Sequence, residues 1–335
     1  MESRILFICK RRSYGISYGL INSCEFVCNV LRMHDIHCKV VTVDDNNDID
    51  RVVSEYKPTH VIIEALWVVP SKFEVLCALH PKVQWIVRLH SKGPFLSTEG
   101  IATEWVEEYI ELADVGGLKI NVALNNEQFC EDLSKVYDWD FLYLPNIYAP
   151  HHSFPPRNHK ESSFEINIGC FGASRPHKNQ FEQAIAAIIF ANSIGKTLRF
   201  HMNSSELENN GNSILKNIQN LFNSSNHELI LHKWMPHEKF VHLVRTMDIG
   251  MQVSFSESFC IVAADFAANN VPIIVSPDVT WMPKMFQADT TNTKDIVSTL
   301  KFAHTTRNIP IVNDCSRHHL EQYNRRSTKT WLEFI

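Results

Sequence analysis

Short apolar runs alternate with segments of helical periodicity along the whole chain. In the first half the runs Arg4 to Cys9, Cys38 to Val43, His60 to Leu66, Gln84 to His90, Lys119 to Leu124 and Phe141 to Leu144 predict strands. They are nearly continuous in apolar residues rather than alternating, as expected of strands buried on both faces of a parallel sheet. Amphipathic segments such as Leu20 to Arg32, Asp50 to Tyr56 and Thr103 to Leu112 predict helices in the gaps. Strand, helix, strand in repetition implies an α/β, doubly wound, Rossmann-like domain. The pattern breaks between Pro145 and Glu165, where prolines 145, 150, 155 and 156 stand among polar residues, the signature of a linker. Strands resume at Ile166 to Phe171, Leu198 to Met202, Glu228 to His232, Ile249 to Val253 and Pro272 to Ser276, and Arg317 to Phe334 reads as a terminal helix. The expected organisation is an N-terminal domain over 1–147, a linker over 148–164, a second Rossmann-like domain over 165–315 and a final helix over 316–335.

Length and composition change this picture little. At 335 residues, 44% apolar and 21% charged, the chain has material for two cores. No apolar run approaches the roughly 20 residues needed to span a bilayer. Ile5 to Cys9 is too short for a secretory signal and is followed by Lys10-Arg11-Arg12, so the expected compartment is the cytoplasm. Nine scattered cysteines do not read as a disulfide framework. Cys24 and Cys28, although near His34 and His37, fall among Phe26, Val27 and Leu31 at helical spacing and read as small core residues, not as zinc ligands. Charge is uneven: residues 1–150 carry 14 basic against 21 acidic side chains, and the remainder 18 against 16. The first half therefore has no broad basic face for a polyanion.

The densest chemistry lies in Ser254-Phe-Ser-Glu-Ser-Phe-Cys-Ile-Val-Ala-Ala-Asp265, which sets Glu257 and Asp265 eight positions apart. Ser256 or Glu257 could cap the helix that follows, leaving the amides around Ser258, Phe259, Cys260 and Ile261 for a pyrophosphate. Upstream, Ile166 to Gly172 reads as a strand ending in small residues, followed by Arg175 and Lys178 before an amphipathic run from Gln180. A glycine-ended strand with two cations makes a second anion-binding corner. Two rival motifs are weaker. Asp48-Ile-Asp50 matches the Asp-x-Asp of metal-dependent transferases, yet it sits where acids complement a helix dipole, and no metal site is inferred. Asp44 or Asp45 could serve a nicotinamide enzyme, but the first loop lacks Gly-x-Gly-x-x-Gly.

Taken in order, these segments resemble the retaining glycosyltransferases of the GT-B fold, especially the large family 4, whose Glu-x7-Glu motif is preceded by an Arg/Lys pair. Leu144-Pro145-Asn146 is similar to the step into that family's interdomain linker, and Val271 to Ser276 to its next core strand. The resemblance implies two Rossmann-like domains facing across a cleft, with a last helix that crosses back to the first. It implies a nucleoside-diphosphate sugar, a UDP-sugar above others, held by the C-terminal domain without a metal. Arg175 and Lys178 would stabilise the departing diphosphate, Glu257 would touch the sugar hydroxyls, and Asp265 would grip the ribose diol beside Gly172. His90, at the end of the fourth strand, would face the donor sugar. The chain departs from the pattern at Asp265, where the family has Glu, and at Ser258 and Cys260, where it has glycines.

The acceptor would lie on the N-terminal domain, where Arg12, Tyr14, Tyr18, Arg88 and Lys92 are the candidate contacts. Ser13 to Asn22, Ile63 to Trp67 and Arg88 to Lys92 resemble glycosyltransferases of large DNA bacteriophages. That resemblance implies hydroxymethylcytosine in DNA as an acceptor and the host cytoplasm as the compartment. A saccharide, lipid or protein acceptor, or a sugar-nucleotide-binding protein without turnover, are the alternatives.

Overall fold

The computed structural model describes residues 3–11, 18–150, 154–155, 157, 162–205, 207–208 and 210–335. The chain divides into two compact units, Met1–His151 with Asn324–Ile335, and His152–Tyr323.

The first unit runs β1 (Arg4–Lys10), α1 (Tyr18–Met33), β2 (His37–Val43), α2 (Asp48–Tyr56), β3 (His60–Glu64) and α3 (Lys72–Leu79). It continues through β4 (Gln84–Leu89), α4 (Gly93–Leu96), α5 (Ala102–Asp114), β5 (Ile120–Leu124), α6 (Glu127–Tyr137) and β6 (Leu142–Tyr143). Its six strands are all parallel in the order β2-β1-β3-β4-β5-β6. Alternation along β1 shows the double winding: Leu6 and Ile8 join a core with α2, α3, α5 and α6, whereas Ile5, Phe7 and Cys9 join one with α1 and Trp331. Both faces are therefore dry, which is why these strands read as unbroken apolar runs.

The second unit runs β7 (Glu165–Cys170), α7 (Gln180–Ser193), β8 (Thr197–Asn203), α8 (Gly211–Asn223), β9 (Glu228–His232), α9 (His237–Val244), β10 (Ile249–Gln252), α10 (Ile261–Ala268), β11 (Ile273–Val275) and α11 (Thr293–Thr306). The last helix, α12 (Pro310–Phe334), follows. The five strands are parallel in the order β11-β10-β7-β8-β9. The chain leaves β7 for β8 and β9 on one side, then returns to place β10 on the other. The switch point thus lies between β7 and β10, and a crevice outside the carboxyl ends of such a strand pair is where open α/β sheets bind ligands.

The end of α12 from Asn324, with Ile335 after it, belongs to the first unit. Trp331 is fully buried there, its ring against Phe7 and its Nε1 donating to the Pro145 carbonyl at 2.8 Å. An indole of that size contributes about 4 to 6 kcal/mol of gross apolar burial, with its one polar atom satisfied.

Two expectations are refined and one holds. Asp48 and Asp50 lie in the first turn of α2 rather than in a turn ahead of it. Cys24 is buried as a core thiol, as read from its spacing. Cys28, read in the same way, is joined to Cys38 in a disulfide, because α1 folds back on β2 and brings their Cα atoms to 5.4 Å. Among the described residues no helix is long and apolar enough to cross a membrane.

Candidate functional site

The two loops at the switch point of the second sheet are stitched together. After β7 the chain passes through Gly172 at φ +114°, a conformation that strains any side chain, and a Cβ there would stand 3.8 Å from Lys178 Cε. Arg175 follows in extended conformation, then a 3₁₀ turn over Pro176–Lys178. Asn179 takes a left-handed φ of +52° as the N-cap of α7. Arg175 therefore precedes and Lys178 ends a short turn ahead of α7, and neither lies in the first turn of that helix. From the other loop, Phe255 N–H donates to the His177 carbonyl at 2.8 Å. Asn179 Nδ2 donates to the Val253 carbonyl (3.2 Å) and the Thr290 carbonyl (2.9 Å). Gln183 accepts from Val253 N–H at 2.9 Å and donates to the Lys178 carbonyl at 2.7 Å.

This scaffold brings Lys178 Nζ to 2.5 Å from Glu257 Oε1, with side chains only 11% and 8% exposed. Residues 79 positions apart thus form one charge-assisted contact in a poorly solvated corner. The Glu257 amide N–H donates to Asp278 Oδ2 at 3.0 Å, which fixes the loop from its other side. Arg175 Nη1 lies 2.9 Å from Glu208 Oε2, so Arg175 and Lys178 each face a carboxylate.

The helix after Glu257 starts later than the sequence suggests. Neither Ser256 nor Glu257 caps it: α10 begins at Ile261, its N-cap is Cys260, and no side chain caps it. Glu257 lies three positions ahead of that N-cap, with its carboxylate against Lys178. Cys260 sits at φ +65°, a left-handed conformation that favours glycine. The glycine-like shape of the loop therefore persists with a cysteine in it, and burial, with Glu257 nearby, pushes that thiol's pKa well up. Phe259 is buried with its ring stacked on Tyr323 and tilted against Trp281, whose Nε1 donates to the Phe259 carbonyl at 2.8 Å. Its contribution to a ligand would come from the backbone. Ser258 and Ile261 are half-buried on either side. Asp265, one turn into α10, is met by His237.

A second polar cluster occupies the carboxyl ends of β3 and β4. Glu64 and Arg88 are fully buried, with Arg88 Nη1 at 3.1 Å from Glu64 Oε1. Arg88 also donates to the Leu144 carbonyl (2.9 Å) and to Asn146 Oδ1 (2.5 Å), and its guanidinium lies over the Trp331 ring. The expectation that Arg88 contacts an acceptor is corrected here: its donors are consumed inside the first unit. His90 Nε2 donates to Glu64 Oε2, while Asn125 Nδ2 lies 3.3 Å from His90 Nδ1. Burial pushes the Glu64 pKa up, but the Arg88 charge and His90 outweigh it, and the carboxyl ends below its usual range. Burial holds the His90 pKa down against the pull of Glu64, so the ring is neutral near pH 7. Lys92 follows as the half-buried residue ahead of α4. Tyr18 opens α1, and Arg12 and Tyr14 lie outside the described residues.

Sequence reasoning missed Glu64, Glu208, His237 and Asp278. Only Glu64 left a local signal, an acid closing the apolar run Val61 to Ile63. The others become visible once distant loops meet.

No family model matches the sequence, and no curated protein matches it. Solved structures do match in fold. The chain is similar to OtsA, a trehalose-6-phosphate synthase, at 10% identity and a TM-score of 0.65, over 99% of this chain and 98% of that one. It is similar to HepE from Anabaena, solved with UDP-glucose, at 11% identity and a TM-score of 0.64, over 98% and 99%. A sucrose-phosphate synthase from Thermosynechococcus elongatus matches at 12% identity and a TM-score of 0.62, over 99% and 98%. The fold is accordingly that of GT-B glycosyltransferases, two parallel-sheet Rossmann-like units.

Proposed function

We propose that this protein is a retaining, metal-independent glycosyltransferase that takes a sugar from a nucleoside-diphosphate sugar, preferably a UDP-sugar, to an acceptor hydroxyl. The observation that carries the reading is the Lys178–Glu257 pair at the switch point of the second sheet, on a loop framework that also presents Arg175 and Gly172. In this reading the diphosphate lies against Lys178, Arg175 and the amides at the start of α10, and Glu257 turns from Lys178 to the sugar hydroxyls. Charge builds on the diphosphate as its bond to the anomeric carbon breaks, so a cation placed there stabilises the transition state more than the ground state. The acceptor oxygen forms its new bond to the anomeric carbon on the face the diphosphate leaves, and its proton passes to a departing phosphate oxygen. No protein nucleophile is required. Asp265 takes the ribose. HepE was solved with UDP-glucose, and a similar Staphylococcus aureus structure, TarM, with UDP, which supports a uridine nucleotide as the first donor to test.

For the acceptor we propose hydroxymethylcytosine in DNA, on the resemblance of Ser13 to Asn22 and Arg88 to Lys92 to bacteriophage enzymes. The acidic balance of the first 150 residues makes a small contact area, not a broad phosphate face, the expected mode. The test is a panel of UDP- and GDP-sugars with hydroxymethylated DNA and simple glycans, read by mass change, alongside release of nucleoside diphosphate without acceptor. Mass gain on the DNA supports the full proposal. Gain on a glycan alone replaces the acceptor, and absence of binding and release with every donor overturns the enzyme reading.

A further inference from the structure

Arg175 is paired with an acid to which the function proposed above gives no role. The loop leaving β8 brings Glu208 alongside the turn that leaves β7, so that Arg175 Nη1 and Glu208 Oε2 meet at 2.9 Å with side chains 23% and 29% exposed. The backbone keeps them together. Glu208 N–H donates to the Ser174 carbonyl at 2.9 Å, and Ser174 forms a parallel bridge with Leu207. Gly211, the first residue of α8, packs so closely that a Cβ there would stand 2.1 Å from the Ser174 carbonyl oxygen. The acid is therefore anchored to the residue directly before Arg175, and its carboxylate stays within a side chain's length of the guanidinium.

Lys178 faces Glu257, Arg175 faces Glu208, and Asp278 accepts from the Glu257 amide, so two cations share this corner with three carboxylates, His177 lying in the same turn. A diphosphate entering it meets cations whose charge is already matched. Glu257 has sugar hydroxyls to turn to, whereas Glu208 is tied through Ser174 to the loop that carries Arg175. The resulting repulsion differs between donor and product. The diphosphate of an intact sugar nucleotide carries about two negative charges. After transfer its terminal phosphate is a monoester, whose second ionisation near about pH 6 adds most of a third. A fixed carboxylate close by therefore disfavours the product more than the donor.

We propose that Glu208 sets the affinity of the nucleotide site: by balancing the charge of Arg175 it weakens retention of the released nucleoside diphosphate relative to the intact donor. The inference rests on Arg175 meeting the diphosphate, as in the function proposed above. Its consequence is faster product departure, the step that sets turnover in many transferring enzymes.

The test is calorimetric titration of UDP and UDP-glucose, with GDP and GDP-mannose as a second pair, into the full-length protein and into Glu208→Gln and Glu208→Asp, each checked for folding by thermal melting. Glutamine keeps the shape and an acceptor for Arg175 but removes the charge. E208Q is expected to bind the nucleoside diphosphate about tenfold tighter and the sugar nucleotide only about threefold tighter. E208D keeps the charge and should stay within about threefold of the wild type for both. The pair is partly exposed, so the melting temperature should move little. If E208Q melts early, Glu208→Ser is compared with E208D in the same way. Unchanged nucleotide binding in E208Q overturns the proposal, and so does weaker binding, which would make Glu208 a support that Arg175 needs. Equal gains for both ligands overturn the discrimination between product and donor. Each of these results leaves nucleotide binding by the wild type intact. Failure of the wild type to bind UDP or GDP at millimolar concentration overturns the underlying site as well.

Discussion

Replacing Lys178 by methionine removes the charge but keeps most of the side-chain volume, and it leaves Glu257 as a carboxylate only 8% exposed without its partner at 2.5 Å. Breaking a fully buried ion pair from one side costs about 3 to 5 kcal/mol. Here a tenth of each side chain still meets water, so we expect about 2 to 3 kcal/mol. For a unit of this size that corresponds to a fall in Tm of roughly 5 to 10 °C. The double variant Lys178→Met, Glu257→Gln carries no unpaired charge and should return to within about 1 kcal/mol of the wild type. Turnover should behave differently. Both variants lack the cation at the developing diphosphate charge and should lose 100-fold or more in kcat, the usual effect of deleting one such stabilising group. Urea unfolding and release of nucleoside diphosphate from the active donor measure the two quantities on the same samples. Stability that does not recover in the double variant refutes the energetic coupling of the pair. Near-normal turnover in either variant refutes the assignment of Lys178 to the leaving group.

Glu257→Gln alone should weaken binding of the intact sugar nucleotide by about tenfold, and of the free nucleoside diphosphate by far less, because one hydrogen bond to a charged group is lost only when the sugar is present. Equal losses in calorimetry would reject contact with the sugar. Cys260 at φ +65° gives a test of the loop. Cys260→Gly relieves about 1 to 2 kcal/mol of left-handed strain but frees the unfolded chain and deletes a buried thiol, so stability should change by less than about 1 kcal/mol with donor affinity retained. Cys260→Val, which places a β-branched side chain in that conformation, should cost more than about 2 kcal/mol; equal stability of the two variants would dismiss the strain. Burial, with His232 and Arg199 nearby, drives the His201 pKa down to about 4, against the pull of Asp248. Its unfolded value is near 6.5, so the unfolded chain takes up the proton first as pH falls, and stability declines from pH 6.5 towards 4. His201 alone should contribute about 2 kcal/mol to the loss between pH 7.5 and 5, and that share should be missing in His201→Asn; an unchanged slope in that variant would place the titration elsewhere.

The parallel strands were legible in the sequence because burial on both faces writes an apolar run. β9, an edge strand read as Glu228 to His232 although only partly buried, matches residue for residue, while β3 ends at Glu64 rather than Leu66 because Ala65 turns away at φ +70°. Lys178 and Glu257 were legible as residue types at a suggestive spacing, each beside a strand end. What the sequence could not state was that residues 79 positions apart would touch. That contact depends on β10 lying beside β7, a choice of strand order made by packing over the whole sheet. The same holds for Arg88, which reads as an available cation until Glu64, Asn146 and Trp331 close around it. It holds again for Asp265, whose partner His237 comes from another helix, and for Cys260, whose left-handed backbone has no signature in a cysteine. Local periodicity determined the elements and their kind. Which charges are paired, buried or presented was decided by tertiary structure, because desolvation and partnership are properties of neighbours distant in the chain.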